Sequence, residues 1–462
     1  MKQYVFSFSE INRSSLAQAG GKGANLGELF SIPGIHGFSV PEGFVVATDA
    51  YRDFVSSSKE FPALLRTLDQ IKLEALEELK TAAAYLRTHL EGLALPAPIR
   101  QAVLQAWQQS SHHAYAIRSS ATAEDLPGAS FAGQQDTFLN ISGITAILES
   151  VRRCWASLFT DRAIIYRRQN GFGDQEVALA VVVQQMVFPE ASGIMFTADP
   201  VTGNRKIVSI DASFGLGEAL VSGMVSADLY QVKADQILTK RIACKEMAIY
   251  AKPEGGTAHV ALTGEQQNVP ALSDEQALQL ARIGRNIKTH FGTPQDIEWG
   301  QVKGEFFILQ SRPITTLYPV PPAANDQIHL FLSVGHQQMM IEAMKPLGIS
   351  VFRTLVPWGK SAPRAESDLL QEAGSRLYFD LNPLLKYRQI RKRLPGMLLA
   401  VDELLSRTVQ EFIAKKNSKA KRNPAKKWSS HRLKRLFPPP LPFSKTSSTV
   451  SITTLSRRPT SL

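Results

Sequence analysis

Hydrophobic and polar positions alternate along the first part of the chain with two different periods. Leucine, isoleucine and alanine recur among lysine and glutamate at helical spacing in residues 64–90, which predicts amphipathic helices. Residues 176–187 form an apolar run rich in valine, which predicts a buried strand. Helices and strands together are therefore expected over about residues 1–316.

A β-hairpin is predicted over residues 296–312, where two apolar-polar runs flank a short turn bounded by glycine. Side chains alternate along a strand, so Asp296 and Glu298 share a face, as do Gln310 and Arg312 on the other strand. If the strands pair about the turn, Glu298 lies close to Gln310. A carboxylate, an amide oxygen and a guanidinium would then meet, and this set suits a magnesium-bound phosphate.

Two further segments carry phosphate-binding chemistry. In residues 116–134, Arg118 offers a fork of fixed donors, and the Ser, Thr and Gly residues after it supply hydroxyls and approachable amides. In residues 20–29, Lys22 lies in a glycine turn that leads into a helix. Such a turn can simply cap a helix, and it lacks the GxxxxGK[ST] spacing of a P-loop. Together with Arg118 and the hairpin, a phosphate-binding role for Lys22 is favoured.

Composition and charge limit the class of protein. With 462 residues, of which 44% are hydrophobic and 20% charged, the chain is expected to be globular with more than one domain. The net charge of +11 belongs to the end of the chain, because residues 412–462 hold 13 Lys/Arg and no Asp or Glu. We therefore do not expect the folded domains to bind nucleic acid. No segment is long and apolar enough to span a bilayer, and there are only two cysteines, so we expect a cytoplasmic protein without a membrane partner.

Beyond residue 316 the composition changes twice. Residues 317–327 are rich in proline and predict a semi-rigid linker. Residues 328–413 contain several methionines and lack strand alternation, which predicts a mostly helical second domain. Residues 414–462 combine clustered Lys/Arg with Pro, Ser and Thr and predict a disordered basic tail.

Five ordered motifs resemble the nucleotide-binding domain shared by phosphoenolpyruvate synthase and pyruvate phosphate dikinase. They are residues 21–29 (GKGANLGEL), 40–44 (VPEGF), 118–125 (RSSATAED), 193–200 (GIMFTADP) and 310–313 (QSRP). The resemblance covers about the first 316 residues. Residues 331–340 and 344–348 are similar to the start of the drug-binding domain of the rifampicin phosphotransferase family.

This resemblance implies an ATP-grasp fold, in which two α+β subdomains clasp ATP and Mg²⁺ between them. It also implies a set of nucleotide-contacting residues: Lys22, Arg118, Gly133, Thr137, Gln184, Glu298, Gln310 and Arg312. Within that set, Lys22, Arg118 and Arg312 would hold phosphates, Gly133 and Thr137 would line the phosphate loop, and Gln184 would meet the nucleotide. The magnesium ligands would be Glu298 and Gln310.

The family transfers the phosphoryl group through a mobile histidine domain, and ATP leaves as AMP and phosphate. None of the nine histidines has the Thr-Ser-His-type context of such a carrier. Because the basic tail also lacks every acidic residue, we expect a truncated or frameshifted product that binds ATP without phosphorylating a drug. The nucleotide sequence beyond the last codon tests this expectation, since the missing domains should be encoded there in another frame.

Three classes of function stay open at this stage. The first is the ATP-binding part of an antibiotic phosphotransferase, with ATP as donor and a rifamycin as acceptor. The second is a phosphoenolpyruvate synthase-like fragment acting on pyruvate, whose acceptor domain would ordinarily be a barrel. The absence of strand alternation after residue 328 favours the first. The third is a non-catalytic ATP-binding module.

Overall fold

The chain forms two compact units, Met1–Leu317 and Tyr318–Leu462, each described here by itself. The structure is a computed structural model, and it describes residues 2–32, 37–110, 114–122, 136–173, 177–221, 223–322, 329–337, 343–355, 365–399 and 403–420. Helices and strands are mixed, as expected for an α+β protein. No helix in the described ranges has the length and apolar character needed to cross a membrane.

The first unit begins with a five-stranded antiparallel sheet in the order β1-β2-β5-β3-β4. Its strands are β1 (Val5–Ser7), β2 (Gly43–Val46), β3 (Tyr115–Ala121), β4 (Thr137–Ile141) and β5 (Leu179–Gln185). The buried strand expected in residues 176–187 is confirmed as β5, which lies at the centre of this sheet. Its apolar composition fits, because both of its faces are covered by helices.

Seven helices accompany the first sheet. They are α1 (Leu16–Phe30), α2 (Thr48–Ser56), α3 (Phe61–Gln70), α4 (Leu76–Gly92), α5 (Ala97–Gln109), α6 (Ile144–Ala156) and α7 (Asp161–Gln169). The helices expected in residues 64–90 are confirmed as α3 and α4. The larger core lies on one face of the sheet around the fully buried Trp155, whose ring centroid is 4.8 Å from that of Phe54. Helix α1 packs on the opposite face, against Val45 and Val182.

A second antiparallel sheet follows, with six strands in the order β13-β12-β6-β7-β8-β9. These strands are β6 (Ala191–Phe196), β7 (Ile207–Phe214), β8 (Asp228–Lys233), β9 (Gln236–Arg241), β12 (Gln295–Val302) and β13 (Glu305–Pro313). Between them lie α8 (Glu218–Val221), the separate hairpin β10 (Met247–Ala251) and β11 (Thr257–Ala261), and α9 (Asp274–Phe291). Helix α9 covers one face and buries Ile210, Ile297 and Trp299.

The hairpin predicted from the sequence is confirmed as β12–β13. Its two-residue turn places Lys303 at φ 49° and Gly304 at φ 85°, the left-handed pair that matches the twist of adjoining strands. The turn pairs Trp299 with Ile308, and a β-bulge between Glu298 and Trp299 then shifts the register by one residue. As a result, Glu298 pairs directly with Gln310 and Asp296 with Arg312.

Among the contacts that tie the two sheets of the first unit together, three lie at separate places. Ser39 exchanges backbone hydrogen bonds of 2.9 Å with Phe306 and Ile308 of β13. Glu28 of α1 lies 2.6 Å from the His290 ring nitrogen at the end of α9. The β10–β11 hairpin forms the third tie.

Asn140 of β4, with φ 57°, holds one end of the β10–β11 hairpin. Its side-chain amide donates to the carbonyls of Lys252 at 2.7 Å and Gly256 at 2.9 Å. At the other end, the Leu216 amide after β7 donates to the Ile249 carbonyl at 2.7 Å. The hairpin therefore connects the first sheet to the second.

The described residues of the second unit contain a three-stranded sheet in the order β14-β16-β15, from β14 (Phe331–Ser333), β15 (Leu370–Ala373) and β16 (Arg376–Asp380). Its helices are α10 (Val334–Gln337), α11 (Pro346–Leu355), α12 (Arg388–Leu399) and α13 (Glu403–Ala420). In the described part of residues 328–413, helices hold more residues than the three short strands do. Helix α13 extends to Ala420.

Candidate functional site

Arg118 lies where the two sheets of the first unit meet. It belongs to β3, and its side chain is only 10% exposed. Its Nη1 donates to the Leu309 carbonyl of β13 at 3.0 Å, and its Nη2 lies 3.6 Å from Oε2 of Glu298. Thr137 pairs directly with Arg118 from β4, so both side chains project from the same face of the first sheet. The structure thus brings Arg118, Thr137 and Glu298 together, although 180 positions separate the two charged residues.

A glycine turn positions Lys22 close to Arg118. Gly20 adopts φ 67° inside α1, and a Cβ added there would lie 2.1 Å from the Ser120 carbonyl oxygen. The Ser120 hydroxyl accepts the Gly23 amide at 3.1 Å, which fixes the turn against β3. The Lys22 ammonium then donates to the Ser119 carbonyl at 3.0 Å, one residue from Arg118. Ser119 and Ser120, the two serines of the Arg-Ser-Ser motif, therefore hold the turn that carries Lys22.

Glu298 and Gln310 place a carboxylate and an amide side by side. They are paired residues of β12 and β13, and the Glu298 side chain is 28% exposed while Gln310 is buried. The Gln310 side chain makes no hydrogen bond to any other described residue. A carboxylate oxygen and an amide oxygen are hard donors suited to Mg²⁺, which usually takes its other ligands from phosphate and water. In the described ranges, no group of three or more His, Cys, Asp or Glu side chains could form a metal cage.

Asp296 holds Arg312. The sequence pattern predicts the position of Asp296 on the hairpin but no role for it. Nε and Nη2 of Arg312 lie 2.9 Å and 2.7 Å from the same Asp296 oxygen, Oδ2. Burial raises the pKa of Asp296, while the Arg312 charge acts in the opposite direction. The signal that could have found Asp296 is its two-residue spacing from Glu298, which places both carboxylates on one face. Asp296 thus fixes the orientation of the Arg312 guanidinium.

Gln184 has a buried polar group without a protein partner. It lies on β5 between Gly43 and Ala116, is 1% exposed, and its Nε2 finds no acceptor in the described part of the chain. A buried donor left unpaired costs about 1–3 kcal/mol, so such an atom indicates a ligand acceptor. Gly133, the remaining expected contact, lies outside the described residues.

The site holds charges of both signs. Its cations are Lys22, Arg118 and Arg312, and its carboxylates are Asp296, which pairs with Arg312, and Glu298, which lies 3.6 Å from Arg118. Such a set can bind a polyphosphate, because the cations neutralise its oxygens and the carboxylate can share a divalent metal with it.

The chain is similar to two groups of known proteins and matches one family. The family described as pyruvate phosphate dikinase, AMP/ATP-binding domain, matches residues 16–328. Rifampicin phosphotransferase of Bacillus subtilis is 51% identical over 384 residues, 82% of this chain and 43% of that protein. Rifampicin phosphotransferase of Bacillus cereus is 49% identical over 418 residues, 90% of this chain and 47% of that protein.

A second group of relatives matches a shorter region. The probable phosphoenolpyruvate synthase of Methanocaldococcus jannaschii is 41% identical over 323 residues, 68% of this chain and 27% of that protein. The chain thus spans less than half the length of each of these relatives. Because the family match extends over more than half of the chain, the chain belongs to the family of the pyruvate phosphate dikinase AMP/ATP-binding domain.

Proposed function

We propose that the first unit is an ATP-grasp domain that binds magnesium-ATP between its two sheets, as the nucleotide-binding part of an ATP-dependent phosphotransferase. The observation that carries this proposal is the position of Arg118, which comes from the first sheet and contacts Leu309 and Glu298 of the second. A ligand that contacts Arg118 and Glu298 together must lie between the sheets.

Each side chain of the site has a role in this proposal. Lys22, Arg118 and Arg312 hold phosphate oxygens, and Gln184 donates its unpaired amide hydrogen to the nucleotide. Glu298 and Gln310 hold Mg²⁺, which neutralises phosphate charge when it is bound. Thr137, the first residue of β4, and Gly133, four residues before it in the sequence, contact the phosphates.

A rifamycin is the proposed acceptor in the complete enzyme, reached through a phosphohistidine carrier. The match to the Bacillus cereus rifampicin phosphotransferase covers 418 residues and must therefore include residues beyond 328, where the family domain ends. The match to the phosphoenolpyruvate synthase, at 323 residues, is about as long as that domain alone. The extension into the second unit favours rifamycin over pyruvate, which is the second candidate acceptor.

Calorimetry with ATP and Mg²⁺ tests the nucleotide site. Arg118→Ala and Glu298→Ala should each weaken ATP binding about 10- to 100-fold, because each removes a charge-assisted contact. Arg282→Ala, at an exposed position of α9, and Glu305→Ala, at an exposed position of β13, are the matched controls and should bind ATP normally. Full ATP binding by both site variants would rule out this site.

Two further measurements test transfer and acceptor. A carrier domain from a rifampicin phosphotransferase, added as a separate polypeptide with ATP, should gain a phosphoryl group detectable by intact mass. ATP turnover without that gain would contradict the transferase role. Equilibrium dialysis with rifampicin and with pyruvate separates the two acceptors, and retention of pyruvate alone would favour the second candidate.

A further inference from the structure

A third carboxylate, Asp211, shares the sheet face on which Glu298 lies. Glu298 of β12 pairs with Ile194 of β6, and Ile194 pairs with Asp211 of β7. Directly paired residues on neighbouring strands project from the same face of a sheet. With strands about 4.8 Å apart, the Cα atoms of Glu298 and Asp211 are separated by roughly 10 Å. Asp211 therefore faces the same side as the proposed magnesium site, two strands away.

Asp211 has no protein partner within the described ranges, where it makes neither a hydrogen bond nor an ion pair. Its direct neighbours on the two adjacent strands are the apolar Ile194 and Leu229. Arg241, which pairs with Leu229, forms no ion pair with Asp211. Burial raises the pKa of Asp211, and the Arg241 charge acts in the opposite direction. A carboxylate partly removed from water needs hydrogen-bond donors, and the described residues supply none here.

Asp211 is connected along the chain to the apolar end of the proposed nucleotide site. Five residues after it, beyond the end of β7, Leu216 packs in an apolar cluster with Met186, two residues beyond Gln184. Across the sheet, Asp211 lies two strands from Glu298, at the phosphate end of the proposed site.

A pair of neutral hydroxyl donors suits the Asp211 carboxylate better than a phosphate or a base does. A phosphate would be repelled by the carboxylate, and an apolar base edge would leave its oxygens unpaired. A pair of neighbouring hydroxyls instead donates one hydrogen bond to each carboxylate oxygen, and such bonds to a charged acceptor are stronger than neutral ones. Ser213 lies two residues along the same strand, and its buried hydroxyl also has no partner in the described part of the molecule.

We propose that the Asp211 carboxylate accepts hydrogen bonds from the two ribose hydroxyls of the bound nucleotide and so selects ribonucleotides over deoxyribonucleotides. This inference rests on the proposed function, because it assumes that ATP lies between the sheets. Asp211 would bind the ribose, in addition to the residues proposed to hold the phosphates and the metal.

Calorimetry with ATP, 2′-deoxy-ATP and 3′-deoxy-ATP at saturating Mg²⁺ tests the inference. The unsubstituted chain should bind ATP about 10- to 100-fold more tightly than either deoxynucleotide. Asp211→Ala should reduce this preference to about 2-fold, and Asp211→Asn, which keeps one acceptor oxygen, should be intermediate. Asp235→Asn is the matched control, since Asp235 is exposed at the β8–β9 turn, and should keep the full preference.

The outcomes separate this inference from the proposed function. ATP binding without a preference for ribose, or an unchanged preference in Asp211→Ala, would overturn the role of Asp211 and leave the ATP site intact. Equal losses for all three nucleotides in Asp211→Ala that are reversed by more Mg²⁺ would make Asp211 a metal ligand and also overturn it. No ATP binding by the unsubstituted chain would overturn the proposed function itself. Circular dichroism of both Asp211 variants establishes that they fold.

Discussion

Removing the Lys245 ammonium should destabilise the first unit strongly. Lys245 and Asp228 form an ion pair at 2.6 Å with both side chains 0% exposed. In Lys245→Met, a side chain of similar length leaves the Asp228 carboxylate buried, with only the backbone amides of Ala243 at 2.9 Å and Ala271 at 2.8 Å to stabilise it. Breaking a buried pair by removing one partner costs about 3–5 kcal/mol. Because the two amides remain, we expect a loss near the lower end, about 3 kcal/mol.

Urea unfolding followed by circular dichroism and tryptophan fluorescence measures this loss as a change in the free energy of unfolding of the first unit. Lys80→Met is the matched control, because Lys80 pairs with Glu77 at 2.8 Å while 44% exposed on α4. An exposed pair of this kind contributes about 0–1 kcal/mol. The double variant with Asp228→Asn should recover part of the loss, since it removes the uncompensated charge and keeps one acceptor oxygen. If Lys245→Met costs no more than Lys80→Met, the reasoning from burial is wrong.

Two further substitutions test how the first unit is held together. Gly20→Ala should lower the free energy of unfolding of the first unit by about 1–3 kcal/mol and weaken ATP binding, because the new Cβ would clash with Ser120 and alanine is strained at a left-handed φ. An unchanged free energy of unfolding together with unchanged ATP affinity would contradict this. Asn140→Ala should cost about 2 kcal/mol and speed hydrogen exchange in residues 247–261, because two side-chain hydrogen bonds to Lys252 and Gly256 are lost. Asn140→Gly should unfold at similar urea concentrations to Asn140→Ala if those bonds, and not the backbone angle, dominate.

The parts of the fold that sequence predicted well are those governed by local rules. Helices α3 and α4 have a clear helical period, and β5 is a long apolar run. The β12–β13 hairpin followed from one tight turn, whereas the direct pairing of Glu298 with Gln310 also depends on a β-bulge between Glu298 and Trp299. The three strands of the second unit were missed, since strands of three to five residues hold too few positions to show a period.

The parts of the site that sequence could not predict depend on tertiary structure. Arg118 meets Leu309 and Glu298 only because two sheets come together, and no spacing rule relates residues so far apart. Asp211 was missed for the same reason, since its place on the same sheet face as Glu298 depends on the register of three strands. Residue type alone had selected Arg118, while Asp211 lies in no recognisable motif.

The three ties between the sheets of the first unit have a consequence for affinity. The contacts of Ser39, of Glu28 with His290, and of Asn140 through the β10–β11 hairpin lie at separate points. Any rotation or sliding of one sheet against the other would break at least one of these contacts. The contacts therefore favour one spacing between the first-sheet and second-sheet halves of the site. A site whose two halves are already spaced in the unbound chain costs less free energy to order when a ligand binds.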